Sequence, residues 1–247
     1  KCLKTLSKHK VMDDLFKTYQ IDDESADTIE KYITTNADTQ WGYQNNVTFE
    51  RKQLEEQQKE YGESINWNWC PGFSSRFVHE GKTNPKCDTR LPFYKGLQLP
   101  TIRKTIGDQY NDYRIWRCQT WIYPSIADGF NVPHCPHVDL TTRRSRSEGA
   151  KICPSSEETG EGNLVMLYYV NDCDGDNYFY TIKNGHEDDD DVNQNYYNPK
   201  KLSLAHVESP KKGKLLLFDG DTIHASSSPS KNLRITLNIN ILPPKDD

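Results

Sequence analysis

The sequence predicts a mainly β protein, a sandwich or barrel, preceded by a helical N-terminal layer (α+β overall). Three observations predict it. Short apolar or alternating runs recur from Tyr113 onward with turn residues between them. The helical patterns all lie earlier in the chain. Aromatic residues make up 11%, 14 of them Tyr, a composition that favours strands. The 247 residues read as one unit, 1–247, with a helical support layer at 1–112 and the β core at 113–242.

Asp23 to Thr35 places Ala26, Ile29, Tyr32 and Ile33 on one helical face, with acidic residues at its start. Thr48 to Tyr61 is highly charged and reads as a surface helix or an ordered loop. Leu97 to Tyr110 reads as a further helix with Pro100 in its first turn. The period then changes. Tyr113 to Tyr123 alternates, with Ile115, Arg117, Gln119, Trp121 and Tyr123 on one face. Strands follow at Asn163 to Val170, Asn177 to Ile182, Leu202 to Val207 and Lys214 to Phe218, the last closed by the turn residues Asp219, Gly220 and Asp221. Leu233 to Leu242 alternates cleanly, with Leu233, Ile235, Leu237, Ile239 and Ile241 on one side. Lys183 to Lys201 interrupts the rhythm with Glu187 and four aspartates, read as a solvated loop or as a flap that attracts a basic substrate.

A hydrophobic fraction of 34% and a mean hydropathy of −0.89 imply a modest core and long polar loops. The net charge of −5 and the lack of a Lys/Arg stripe argue against an extended nucleic-acid surface. No apolar run is long enough to span a membrane. Seven cysteines without a CxxC pair read as reduced thiols, and with them a cytoplasmic location is expected. The chain begins at Lys1, which leaves room for a removed leader. The sequon at Asn46 carries little weight.

The informative stretch is Pro133 to Asp139. His137 and Asp139 lie two residues apart, so on an extended segment both point the same way and reach one metal ion. His224, on a short segment after the strand that ends at Phe218, is placed to supply a third donor. Two imidazoles and one carboxylate form the facial triad that suits non-haem Fe(II) and leaves the opposite positions open. Arg234 follows on the next strand, where a guanidinium can clamp a carboxylate.

Four segments resemble the double-stranded β-helix (jelly-roll, cupin-like) 2-oxoglutarate/Fe(II) oxygenases, in particular their prolyl-4-hydroxylase-like branch with its phage and viral members. They are Tyr123-Pro124 leading to His137-Val138-Asp139; Leu167-Tyr168-Tyr169-Val170-Asn171; Gly213 to Phe218 followed by His224-Ala225; and Arg234-Ile235-Thr236-Leu237-Asn238. Together they span about Tyr113 to Leu242, and Val11 to Tyr43 is only loosely similar to the family's leading helix and strand. The resemblance implies that His137, Asp139 and His224 hold iron. It also implies that Arg234 binds the distal carboxylate of 2-oxoglutarate, that Tyr169 donates a hydrogen bond to it, and that Tyr123 lines the pocket near the keto acid. Fe(II), 2-oxoglutarate and O2 are the implied cofactors, with ascorbate as a candidate auxiliary reductant. The implied reaction is hydroxylation of a peptide or protein substrate, proline foremost, or of a free amino acid, small metabolite or nucleotide base. Retention of Asp139 favours hydroxylation over halogenation, since halogenases of the family lack that carboxylate. The chain departs from the pattern in a longer loop between Tyr123 and His137, and in Asp174-Gly175-Asp176-Asn177 where the family often has Gly-Gly-x-Thr.

Other readings of the same residues are a zinc site built from His134, Cys135 and His137, a zinc-dependent hydrolase of cupin shape, and a non-catalytic β-helix binding module. Arg234 could pair with a structural carboxylate. Tyr168 and Tyr169 alternate in direction, so only one faces the pocket. The tryptophans, Trp116 and Trp121 among them, read as packing residues, with a substrate groove as the rival reading for Trp67 and Trp69. Arg143, Arg144 and Arg146 read as solvated or as contacts to an anionic substrate, and His9, His79, His186 and His206 as structural or exposed.

Overall fold

The computed structural model describes residues 16–35, 41–44, 71–83, 93–125, 133–139, 162–184 and 199–244. Thr48 to Tyr61, Trp67 and Trp69, Arg143 to Arg146, the acidic run at 187–191, His9, His186 and four of the cysteines lie outside these residues.

The chain forms β1 (Lys17–Gln20), α1 (Asp23–Thr35), β2 (Gly42–Gln44), β3 (Gly72–His79) and β4 (Lys82–Thr83). A π-helical turn at Tyr94–Gln98 then runs into α2 (Leu99–Ile106). The remaining strands are β5 (Arg114–Tyr123), β6 (Leu164–Tyr169), β7 (Asn177–Ile182), β8 (Leu202–Glu208), β9 (Lys214–Asp219), β10 (His224–Ser226) and β11 (Arg234–Leu242). The larger sheet has the order β1-β9-β6-β11-β5-β3-β2, with β4 paired to β3, and the smaller has the order β10-β7-β8. Every pairing is antiparallel, and a bridge from His137 to His224 extends the smaller sheet. This is a double-stranded β-helix, mainly β with N-terminal helices.

Strand alternation divides the core in two. Met166, Tyr168, Leu215, Leu217, Ile235, Leu237, Ile239 and Ile241 form the outer face of the larger sheet. Ile29 and Ile33 of α1 and Ile102 and Ile106 of α2 cover it. The other faces of β6 and β9 carry Val165, Leu167, Tyr169, Leu216 and Phe218, which meet Phe179 of the smaller sheet. Both strands are thus buried on two sides, which is why their sequences run continuously apolar where β11 alternates.

Four expectations need correction. The 1–112 segment is not purely helical: it also supplies β1 at one edge of the larger sheet and β2, β3 and β4 at the other. These strands are short, or carry polar residues on one face, and give little apolar periodicity. The helix expected from Leu97 to Tyr110 is three pieces: the π turn, α2, and a 3₁₀ turn at Asp108–Tyr110. The break falls at Gly107, whose φ of 100° ends α2. Ile115 lies on the helix-packed face rather than with Arg117, because the β5–β11 register shifts between Asn240 and Ile241. A bulge of this kind moves later side chains to the other face. Leu233 precedes β11 and is exposed.

Gly213 turns the chain into β9 with φ +78°, and a Cβ there would meet the Ile21 carbonyl at 3.2 Å and displace the Gln20 side-chain amide. That amide donates to the Lys212 and Ile21 carbonyls, and the Gly213 carbonyl accepts from the Ile21 amide at 2.9 Å. Gly213→Ala is expected to lower unfolding free energy by about 1–3 kcal/mol, measurable as a shift in the urea midpoint.

Candidate metal centre and keto-acid pocket

Two buried anchors set the direction of the three donors. Val138 and Ile223 share one apolar cluster with Leu202, so the residues flanking them turn the opposite way, toward the space between the sheets. His137 and His224 exchange backbone hydrogen bonds of 2.8 and 2.9 Å, which puts their rings 4.6 Å apart between centroids. Donor atoms of His137, Asp139 and His224 all lie within 4.8 Å of one another.

Each imidazole is oriented by a carbonyl. His137 Nδ1 lies 3.0 Å from the Cys135 carbonyl oxygen and His224 Nδ1 lies 2.9 Å from that of Thr222. A carbonyl can only accept, so Nδ1 carries the proton in both rings and each Nε2 keeps a lone pair for a metal. Burial pushes the His137 pKa down to about 4, helped by His224 and opposed by Asp139, so this ring is neutral near pH 7.

The Asp139 carboxylate is nearly buried and held on both oxygens. Arg117 Nη2 donates to Oδ1 at 2.8 Å, while Asn238 and Asn240 donate to Oδ2 at 2.8 and 3.1 Å. Arg117 Nε also donates to Asn240 Oδ1, closing a ring of three side chains. Burial alone would raise this carboxyl's pKa. Arg117, the two histidines and the Asn238 amide outweigh it and hold the group well below the usual carboxylate range.

Arg234 is 1% exposed and stands cross-strand from Tyr123, its guanidinium carbon 4.8 Å from that ring's centre. Its Nη2 donates to Asn177 Oδ1 at 2.5 Å, and the Tyr169 hydroxyl donates to the same oxygen at 3.0 Å. Its Nε has no hydrogen-bond partner, and no carboxylate among the described residues pairs with the guanidinium. The structural-carboxylate reading thus lacks its carboxylate among these residues. Burial pushes the Tyr169 phenol up, so it stays a proton donor. Tyr169, not Tyr168, faces this pocket: Tyr168 belongs to the helix-packed cluster. The chain passes close behind Arg234 at Gly175, where a Cβ would sit 2.9 Å from Arg234 Cδ and 2.8 Å from the Ser227 carbonyl.

Arg234, Tyr169 and Tyr123 therefore form one pocket, and His137, Asp139 and His224 form a neighbouring cluster. Tyr123 packs under Arg234, and its ring lies 5.9 Å from that of His134. His134 stands apart from the donor cluster. It is buried with Nδ1 3.0 Å from Ser226 Oγ and Nε2 3.1 Å from Ser228 Oγ, and burial pushes its pKa down to about 3. Cys135 turns its thiol toward the Pro136 carbonyl. The His134–Cys135 zinc reading thus fails on geometry. His79 is exposed, and His206 meets Glu208 at 2.9 Å.

Sequence reasoning missed Arg117, Asn238, Asn240 and Asn177 as site residues. One signal was present: Asn238 and Asn240 fall on the polar positions of a strand whose alternate positions are all Ile or Leu. Trp121, expected as packing, is half-buried on the site face opposite Thr236.

No family model matches the chain, and no curated protein matches its sequence. Solved structures do match. The non-haem α-ketoglutarate-dependent epimerase SnoN from nogalamycin biosynthesis aligns over 96% of this chain and 81% of its own, with a TM-score of 0.56 and 12% identity. HygX from Streptomyces hygroscopicus, solved with nickel and 2-oxoglutarate bound, aligns over 98% and 88%, with a TM-score of 0.44 and 11% identity. A prolyl-4-hydroxylase from Pseudomonas putida aligns over 90% and 100%, with a TM-score of 0.34 and 13% identity. The first likeness shows the fold alone, and the other two are too distant to carry an argument.

Proposed function

We propose that this chain is an Fe(II)- and 2-oxoglutarate-dependent dioxygenase that hydroxylates a peptidyl residue, proline foremost. One observation carries the reading: three metal-type donors converge beside a buried guanidinium that no described carboxylate neutralises. A buried charge without a counter-ion is costly. An arginine kept in that state fits a ligand that brings the carboxylate with it.

The donor set fits ferrous iron, with two imidazoles, one carboxylate and no thiolate. His137, Asp139 and His224 would hold the metal. Bound iron supplies the activation of O2 that couples decarboxylation of 2-oxoglutarate, to succinate and CO2, with replacement of a substrate C–H by C–OH. The chain's own residues do the rest. Arg234 fixes the distal carboxylate of the keto acid, with the Tyr169 hydroxyl beside it and the Tyr123 ring beneath it. Phe179 and Phe218 pack against His224, with Phe218 5.0 Å away between ring centres, and exclude water from that side. A compact polar substrate, such as a free amino acid, small metabolite or nucleotide base, is the second reading. The polar inner positions of β5 and β11 favour it.

The test is anaerobic binding of Fe(II) and 2-oxoglutarate, followed by succinate release on admitting air. Release that requires both is expected. A chain that binds neither overturns the proposal, and selective rescue by zinc would point to the hydrolase reading.

Arg117 competes with the metal for Asp139 but also keeps the carboxylate aimed and ionised. Asp139 has two further amide donors, so Arg117→Ala is not expected to release it entirely. Fe(II) affinity is expected to fall about 10- to 100-fold, as measured by competition with a chelator dye.

A further inference from the structure

The inner face of β11 carries more polar groups than the metal and the keto acid use. Its inward residues are Arg234, Thr236, Asn238 and Asn240. At about 3.3 Å per residue, Asn238 stands roughly 13 Å along the strand from Arg234, farther than a five-carbon keto acid extends. Gln119 of β5 lies directly cross-strand from Asn238, so the two side chains share this face. Solvent reaches the face beside them, where the side chains of Arg117 and His137 are 30% and 23% exposed.

Both amides have a fixed orientation and a spare atom. Gln119 Oε1 accepts from Arg76 Nε at 3.0 Å, which leaves Nε2 as the donor. Asn238 Nδ2 donates to Asp139 Oδ2 at 2.8 Å, which leaves Oδ1 as the acceptor. Gln119 Nε2 and Asn238 Oδ1 are both buried, and neither has a hydrogen-bond partner. Resting on the proposed function, we infer that this pair binds an amide edge of the substrate. Gln119 Nε2 donates to a carbonyl, and Asn238 Oδ1 accepts from the N–H beside it.

The chemistry of the pair selects the group. A buried donor or acceptor left unmet is costly, and folded proteins rarely keep one. An anion would satisfy Gln119 Nε2 but face the Asn238 oxygen, and a cation would do the reverse. A carbonyl and an N–H that point the same way satisfy both atoms at once. One extended peptide residue presents that edge, as it does to its partner in an antiparallel ladder. A lactam, such as the edge of a nucleobase, presents it too. Asn238 touches the Asp139 carboxylate, so either group would be held next to the metal donors.

The full chain, saturated with Ni(II) and 2-oxoglutarate, would be titrated with two probes by NMR, in which the paramagnetic ion broadens the signals of a compound held near it. N-acetylglycine N′-methylamide presents the peptide edge and uracil the lactam edge. Each is paired with a control methylated on every nitrogen, which keeps the carbonyls and has no N–H. At least one probe is expected to bind about tenfold tighter than its control, and the one with the larger ratio identifies the source of the amide. Two variants test the donor. Gln119→Met removes it, and Gln119→Glu removes it while keeping an oxygen for Arg76. Each should weaken the favoured probe about tenfold, with bound Ni(II) and 2-oxoglutarate reporting that the site is folded. Equal binding of probes and controls overturns the inference, and is the result expected if a water held between the two atoms is never displaced. So does a favoured probe that binds both variants as it binds the wild type. Failure of the wild-type chain to bind Ni(II) or 2-oxoglutarate overturns the functional proposal instead, so the two failures are distinct.

Discussion

His224→Ala is expected to abolish Fe(II)-dependent succinate release while leaving the fold in place. The substitution removes one of three metal donors but not the backbone bridge to His137, whose two hydrogen bonds use only main-chain atoms. The Thr222 carbonyl loses the imidazole donor, a cost of about 1 kcal/mol. Removing a group that merely orients a ligand already costs about 10- to 100-fold in affinity or activity. Loss of the ligand itself should therefore exceed about a hundredfold in both. Circular dichroism and the urea midpoint would report the fold, and chelator competition would report the metal. A variant that keeps wild-type iron affinity and succinate release would exclude His224 as a ligand and, with it, the three-donor centre.

The legible part of the site was the part written in short-range spacing. His137 and Asp139 share a direction because they are two apart on extended chain, and the turn after Phe218 puts His224 on a fresh strand. The strands from Asn177 to Ile182 and through β11 were legible because one face of each must be apolar or aromatic. What could not be read was pairing. Nothing local to Arg117 says that it lies opposite Asn240, or that both converge on a carboxylate from a loop residue more than 20 positions away. The bulge that sends Ile115 to the helix side has no marker in a run that alternates well on paper. β1 and β3 escaped notice for the same reason. β1 has four residues, and the alternate positions of β3 carry Ser74 and Arg76, which read as surface until the second sheet is known to face them.

Arg234→Met is expected to have opposite effects on binding and on stability. In the unliganded chain the Arg234 guanidinium is buried with one neutral acceptor, an aromatic face and an unpartnered Nε, so its charge is poorly compensated. Replacing a buried charge with an apolar side chain of similar length is often neutral or stabilising. Asn177 Oδ1 keeps its bond from the Tyr169 hydroxyl, so no new unmet acceptor arises. The Tm of the unliganded variant should equal or exceed that of the wild type. Binding should move the other way. Losing a buried charge-assisted clamp costs about 2–5 kcal/mol, which corresponds to at least about a 30-fold rise in the Kd for 2-oxoglutarate. Arg234→Lys separates charge from geometry: it keeps the charge but cannot grip both carboxylate oxygens, and should recover only part of the affinity. In thermal shift, adding 2-oxoglutarate to the metal-loaded protein would raise the Tm of the wild type and raise that of the metal-loaded Arg234→Met variant far less. A variant with lowered Tm and intact keto-acid affinity would mean that this guanidinium is a structural group, and that the carboxylate it awaits belongs to the protein itself.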